Sequence, residues 1–166
     1  MRQNKILPPQ SKLQELFYYC PLTGKLTWKK QLSNKGPVGA VAGYVNDNGY
    51  LIVGIEGNEY RVHRIVWALH YSCITEDLDH IDGNKLNNRI ENLRLATRSQ
   101  NNWNSKLRSD NTSGMKGVSE HQGKWRVRTF LNGKEITKSG FKTKEEAITY
   151  AKQTREKEQG EFTKHY

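Results

Sequence analysis

Residues 79–104, DHIDGNKLNNRIENLRLATRSQNNWN, decide how this chain is read. An aspartate and a histidine stand side by side, Asp79-His80, at the end of a short apolar approach. A loop rich in Gly and Asn follows, Leu93 to Ala96 carry the apolar and β-favouring pattern of a strand, and Thr97-Arg98-Ser99-Gln100 has the form of a helix capping box. The order is strand, loop, strand, helix. With Thr97 as N-cap, Asn101 falls in the second turn of that helix, on the side toward the hairpin.

Hydrolysis of a phosphodiester needs a base to deprotonate water and a cation to neutralise charge developing on the phosphoryl and leaving oxygens. The quoted segment holds candidates for both tasks. The oxygens of Asp79 and Asn101 are hard donors that suit Mg²⁺ or Mn²⁺, with phosphate and water completing an octahedron. His80, with an ordinary imidazole pKa of roughly 6.5, suits a base near neutral pH. Taken one at a time, Asp79 could cap a turn, and Asn87, Asn88 and Asn92 could be loop formers bonded to their own backbone. Their joint spacing outweighs those readings.

Working outward, Val62-His63-Arg64-Ile65-Val66-Trp67-Ala68-Leu69-His70-Tyr71 places Val62, Ile65, Val66 and Leu69 on one side of a helix. His70 reads as a surface or packing residue. Upstream, residues 25–29, 39–44 and 50–55 read as short strands separated by Asn46-Asp47-Asn48-Gly49 and Glu56-Gly57-Asn58, a small antiparallel sheet. A first helix is expected from a capping box at Ser11-Lys12-Leu13-Gln14, with Leu13, Leu16 and Phe17 as its apolar stripe, ending near Pro21.

Downstream, residues 105–113 read as a polar linker. Residues 116–120, 124–131 and 134–141 then form three strand-like runs broken by Gln122-Gly123 and Asn132-Gly133. Thr143-Lys144-Glu145-Glu146 opens a helix whose Ala147, Tyr150, Ala151 and Thr154 share a face. Alternation along the middle run turns Trp125, Val127, Thr129 and Leu131 toward the helix and Arg126, Arg128 and Phe130 outward.

The chain of 166 residues carries a net charge of +10. Residues 105–166 hold 14 Lys and Arg against 8 Asp and Glu, so most of the excess lies there. Basic charge of this kind suits a polyanionic partner, though a solubilising surface accounts for it equally well by itself. The two cysteines, Cys20 and Cys73, have no paired spacing and read as core thiols in a reducing compartment. No apolar run approaches the roughly 20 residues of a membrane span, and the N-terminus lacks the apolar segment of a signal peptide. The expectation is a soluble intracellular protein, in host cytoplasm if a phage encodes it, with no small-molecule cofactor and a monomeric or weakly dimeric state.

Residues 62–104, through Val62-His63-Arg64, Asp79-His80-Ile81-Asp82-Gly83-Asn84, Asn87-Asn88, Asn92-Leu93-Arg94 and Asn101, resemble the phage-type HNH homing endonucleases. The resemblance implies a ββα-metal motif at about residues 77–104 gripping one divalent ion. It implies His80 as general base, Asp79 and Asn101 as metal ligands, and Asn92 as the central Asn bracing the loop. Asn101 stands where the family's namesake final His is found, and Asn102 and Asn104 are its alternatives. His63-Arg64 either supports the site, touches DNA or is structural, and Arg64 and Arg94 are the cations of this half expected at DNA.

Residues 112–162, through Ser113-Gly114, Lys116-Gly117-Val118, Gly123-Lys124-Trp125, Asn132-Gly133-Lys134, Phe141, Thr143, Glu145-Glu146-Ala147 and Gly160-Glu161-Phe162, resemble the DNA-binding domain of plant ethylene-response factors. That family lays its sheet in the major groove. The implied contacts are Arg126 and Arg128, flanked by Lys116, Lys124 and Lys138.

The expected fold class is α+β: an HNH nuclease domain over 1–104 with a small N-terminal antiparallel sheet, a linker over 105–113, and a three-stranded sheet packed on one helix over 114–166. The expected function is metal-dependent cleavage of double-stranded DNA leaving 5'-phosphate and 3'-hydroxyl ends. A non-cleaving DNA-binding regulator built on the HNH scaffold is the alternative.

Overall fold

The computed structural model describes residues 5–31, 37–71, 77–105, 107–131 and 134–159. Cys73, the Asn132-Gly133 turn and Gly160-Glu161-Phe162 lie outside the described residues, as does the side chain of Leu131. The fold is α+β and divides into two compact units, residues 1–97 and 98–166.

In the first unit, α1 (Gln10–Leu16) leads directly into β1 (Phe17–Cys20), which pairs antiparallel with β2 (Lys25–Trp28). Two expectations are corrected here. The helix starts after Pro9 at Gln10 with no side-chain cap, so Ser11 is already inside its first turn rather than capping it. Phe17, which fits the helical stripe, instead begins a strand, because pairing with Trp28 extends the backbone from that residue.

The second sheet is β3 (Tyr44–Val45), β4 (Leu51–Ile55) and β5 (Asn58–Arg61), in that order. The strand expected over 39–44 shrinks to two residues plus a single bridge between Val41 and Thr27. β5 is an addition. Its turn has Glu56 and Gly57 both at positive φ, 49° and 76°, the backbone of a two-residue hairpin that reverses the chain despite the polar character of Asn58-Glu59-Tyr60-Arg61. α2 (Val62–Tyr71) follows without a break and buries Val62, Ile65, Val66, Trp67 and Ala68. With Leu13, Leu16, Phe17, Leu26, Val53, Ile55 and Leu93 they make one core.

β6 (Asp77–His80) and β7 (Leu93–Ala96) close the unit as an antiparallel pair in which Asp79 faces Arg94 and His80 faces Leu93. The loop between them ends in a 3-10 turn at Ile90–Asn92.

The second unit opens with α3 (Arg98–Asn104), one residue after Thr97. A sheet of β8 (Val118–His121), β9 (Lys124–Leu131) and β10 (Lys134–Phe141) follows in the order β10-β9-β8, with α4 (Lys144–Gln159) packed on one side. Gln122 and Gly123 both take positive φ, 53° and 71°, as a tight hairpin demands. The capping box at Thr143 is formed reciprocally: the Glu146 amide donates to Thr143 Oγ1 at 3.2 Å, and the Thr143 amide donates to Glu146 Oε2 at 3.4 Å. Met115, Val118, Val127, Ala147 and Ala151 form the core between sheet and helix. No helix among the described residues is long and apolar enough to cross a membrane.

Candidate active site

The β6–β7 loop is wired by its own side chains. Asn92 Oδ1 accepts the Asp82 amide at 3.1 Å, while its Nδ2 donates to Asp82 Oδ1 at 2.9 Å and to the Asn87 carbonyl at 2.8 Å. Asp82 also accepts from the Asn84 amide and from Asn87 Nδ2, each at 2.7 Å. Partial burial pushes the Asp82 carboxyl up, but the hydrogen bonds from Asn87, the Asn84 amide and Asn92 outweigh it, and its pKa lies below the usual value. Asp82 therefore stays ionised and holds the loop closed around Asn92.

The loop is also held from outside. Tyr19 on β1 accepts the Ile90 amide at 2.9 Å and donates to the Asn88 carbonyl at 3.2 Å. Gly24, at φ +70°, lies so close that a Cβ there would stand 2.6 Å from the Arg89 nitrogen. Any side chain at position 24 would push this segment away, so the N-terminal hairpin is a brace for the loop.

His80 sits within this frame, 4 % exposed. Asn88, 1 % exposed, donates its Nδ2 to the Leu86 carbonyl at 3.3 Å, which turns its Oδ1 toward His80 Nε2 at 3.1 Å. An acceptor at that position fixes the proton on Nε2 and makes Nδ1 the basic nitrogen. Burial pushes the His80 pKa below the imidazole norm, more strongly than Asn88, Asp82 and Asp79 pull it up, so the ring is neutral at pH 7. His63 of α2, 3 % exposed, stands edge-on to it with ring centroids 4.9 Å apart.

Asp79 is next to His80 on β6, and its Oδ2 accepts from Arg94 Nε at 3.1 Å and Nη2 at 3.0 Å across the strand pair. Asp79, His80, Asn92 and Arg94 are thus brought together. Arg94, expected at DNA, points its fork at Asp79. Arg64 is half-buried on α2; burial pushes its pKa down and Asp77 pulls it up. Asn101 stands half-buried on α3 in the second unit, followed by exposed Asn102 and, three positions on, buried Asn104.

A family model for HNH endonucleases matches residues 60–103, which span α2, the β6–β7 hairpin and most of α3. Protein 3.8 of Escherichia phage T7 is 37 % identical over 110 residues, covering 63 % of this chain and 88 % of that protein. The chain belongs to the HNH endonuclease family. It is an HNH-type deoxyribonuclease by that membership. The uncharacterised HNH endonuclease L560 of Acanthamoeba polyphaga mimivirus is 34 % identical over 122 residues, 72 % of this chain and 63 % of that one. A solved structure of DNA binding and cleavage by the HNH homing endonuclease I-HmuI aligns at TM-score 0.43 and 22 % identity, covering 79 % of this chain and 76 % of that one.

In the second unit of this HNH endonuclease, β9 alternates as its sequence indicates: Val127 and Thr129 are buried, Arg128 and Phe130 exposed. Register puts Ser119, Thr137 and Ser139 on the outward side with Arg126 and Arg128. Two of the cations expected beside them lie elsewhere. Lys138 pairs with Val127, hence faces the helix side, and its Nζ stacks 4.2 Å from the Tyr150 ring centroid. Lys116 Nζ donates to the carbonyls of Trp103, at 2.8 Å, and Ser105. Charge along the sequence cannot separate these faces; pairing register can. Lys124 is exposed and shares the outward parity of Arg126 and Arg128.

The sequence alone does not distinguish Asn88 from the other Asn residues of the loop, and it leaves the role of His63 open. The signal for Asn88 is subtractive, since Asp82 engages Asn87 and Asn92 and leaves Asn88 to the histidine. His63 has a measurable consequence. Burial, then the electrostatic influence of His80, Arg61 and Arg64, push its pKa well below 6.5. A histidine with a depressed folded-state value stabilises the fold above its unfolded pKa, and that contribution is lost as pH falls below about 6.5 toward the folded value. Stability of the HNH endonuclease is expected to drop between pH 7 and 5, by up to about 1.4 kcal/mol per pH unit for each such histidine. His63→Gln should flatten this slope in thermal melts, and an unchanged slope would remove His63 as its source.

Proposed function

We propose that the protein hydrolyses phosphodiester bonds of duplex DNA, as a homing-type endonuclease, with His80 as general base and a divalent ion, Mg²⁺ or Mn²⁺, held by Asp79 and Asn101. The products are 5'-phosphate and 3'-hydroxyl ends. The observation that carries this reading is His80 itself: a buried, neutral imidazole whose Nε2 is engaged by Asn88 and whose neighbour is the Asp79 carboxylate.

The donor chemistry fits the ion. Asp79 offers a hard carboxylate where a guanidinium already rests, a place that favours positive charge. Asp79 and Asn101 would supply few protein oxygens, so phosphate and water would complete the coordination of the ion. When bound, the ion supplies Lewis-acid neutralisation of phosphoryl charge. His80 Nδ1 takes the proton from the attacking water while Asn88 holds the ring. Asn92 and Asp82 keep the loop that carries Asn88 in place.

Residues 1–104 form the cutting domain in this reading and 105–113 connect it to a DNA-gripping domain over 114–166 of the ethylene-response-factor type. Arg64 of the cutting domain and the Arg126, Arg128 and Lys124 face of the other supply DNA contacts, and the protein acts as a monomer or weak dimer. Incubating supercoiled plasmid with protein and Mg²⁺ should give nicked or linear product that chelator abolishes. Binding without cutting at any metal concentration would favour a regulator on the HNH scaffold.

The sheet face has its own test. Arg126→Ala with Arg128→Ala should weaken duplex binding and reduce the slope of log K against log salt by about 0.9 for each phosphate no longer neutralised. Gel-shift titration at two salt concentrations, beside circular dichroism, reads this; unchanged affinity and slope in the folded variant would move the DNA surface elsewhere.

A further inference from the structure

The second unit contains a cavity of about 170 Å³ that the cutting chemistry does not use. Its walls include Trp103 of α3, Lys116 and Gly117 ahead of β8, Arg128 and Phe130 of β9, and Arg155 of α4. Among the described residues that line it, three are cations and none is a carboxylate. Arg128 shares its charge with Glu135 through a 2.9 Å ion pair, but both of those side chains are largely exposed, so that pair is screened.

Arg155 is the unusual member. It is 5 % exposed, its Nη2 donates to the Lys116 carbonyl, and its Nη1 is buried with no hydrogen-bond partner among the described residues. An arginine stays charged when buried, and a buried guanidinium needs an anion or a full set of acceptors to offset its desolvation. Burial pushes its pKa down. Gly117 keeps the wall this close: a Cβ there would stand 2.1 Å from the Arg128 carbonyl oxygen and 3.2 Å from Arg155 Nη2. Trp103 and Phe130 contribute aromatic residues to the lining. A water takes about 30 Å³ in the liquid, so the space exceeds a single solvent molecule several times over. The unpartnered nitrogen of a buried guanidinium is a charged donor of the kind that recognises an oxyanion.

We propose that this cavity is a phosphate-binding site anchored by Arg155, taking either inorganic phosphate or a backbone phosphodiester of DNA. The second occupant rests on the reading that this unit grips DNA; the first does not.

Full-length protein titrated with sodium phosphate, against sodium chloride at matched ionic strength, should show a phosphate-specific rise in melting temperature. Arg155→Lys, which keeps the charge and loses the fork, should weaken the response by about tenfold or more, and Arg155→Met should abolish it. Because a buried arginine can be needed for folding, guanidinium NMR of the wild-type protein gives a second measurement, in which one buried arginine signal shifts saturably with phosphate and not with chloride. No phosphate effect beyond chloride in the wild type, or undiminished phosphate binding by folded Arg155→Met, overturns the proposal. A short duplex added to the phosphate-loaded protein separates the occupants. Displacement of phosphate identifies the phosphodiester, and duplex binding without displacement identifies the free anion. Failure to bind duplex at all counts against the DNA-gripping reading while the phosphate site stands.

Discussion

Replacing His80 with alanine should reduce plasmid cleavage by about 10² to 10⁴, the range associated with a positioned general base, while leaving DNA affinity within a few-fold. The alanine variant alone does not isolate the base, because His80 is buried and Asn88 Oδ1 faces its Nε2. Removing the ring opens space beside His63 and takes that partner from Asn88, at a cost of about 1 to 3 kcal/mol in stability. His80→Gln is the sharper variant, since its amide can still donate toward Asn88 but cannot accept a proton from water at neutral pH. Both variants should be compared with wild type in single-turnover nicking, thermal melts and gel shifts. A folded His80→Gln protein that nicks within about threefold of wild type would falsify the assignment of the base. Asn88→Leu should fall between the two, because the ring remains but its tautomer is no longer fixed.

The distinction between what local sequence specifies and what it leaves open follows the range of the interactions. β9 is legible because Val127, Arg128, Thr129 and Phe130 alternate between core and solvent, and that period survives whichever partner the strand meets. The Thr143 capping box is legible for the same reason, being a four-residue motif that satisfies itself. Phe17 is not. Its spacing from Leu13 fits a helix equally well, and only pairing with Trp28, eleven residues on, extends it. β5 is hidden because Asn58-Glu59-Tyr60-Arg61 lacks an apolar alternation, and its strand is set by the turn at Glu56-Gly57 and by β4.

The site divides in the same way. Asp79 beside His80, and the Asn-rich loop after them, can be recognised from spacing, whereas which Asn touches the imidazole depends on competition for Asp82. Lys116 and Lys138 look like companions of Arg126 in sequence, yet one is drawn to the carbonyls at the end of α3 and the other to the ring of Tyr150. Long cationic side chains take their direction from tertiary partners, so their placement is the least legible part of a DNA-binding surface.

Asp79→Ala should lower Mg²⁺-dependent cleavage by about 10² or more, since loss of metal-borne charge stabilisation removes several kcal/mol from the transition state. It should also reduce stability, because Asp79 accepts two hydrogen bonds from Arg94 and both side chains are about nine-tenths covered. Exposed ion pairs contribute up to about 1 kcal/mol and breaking a buried one costs about 3 to 5 kcal/mol, so an intermediate loss is expected. The two effects are separable through the partner. Arg94→Met removes the cation and keeps Asp79; it should lower the melting temperature yet retain Mg²⁺-dependent cutting, and should need more DNA for the same rate only if Arg94 also reaches a phosphate. Asp79→Asn keeps an oxygen at the position without its charge and should need more Mg²⁺ for the same rate. Asn101→Ala should share the metal phenotype of Asp79→Ala, while full activity of Asn101→Ala beside a dead Asn102→Ala or Asn104→Ala would shift the helical ligand to that residue. Metal titrations of cleavage, run at a temperature where every variant is folded, decide between the roles. If Asp79→Ala cuts as wild type does once its fold is secured, Asp79 serves only to hold Arg94, and the ion must be bound elsewhere.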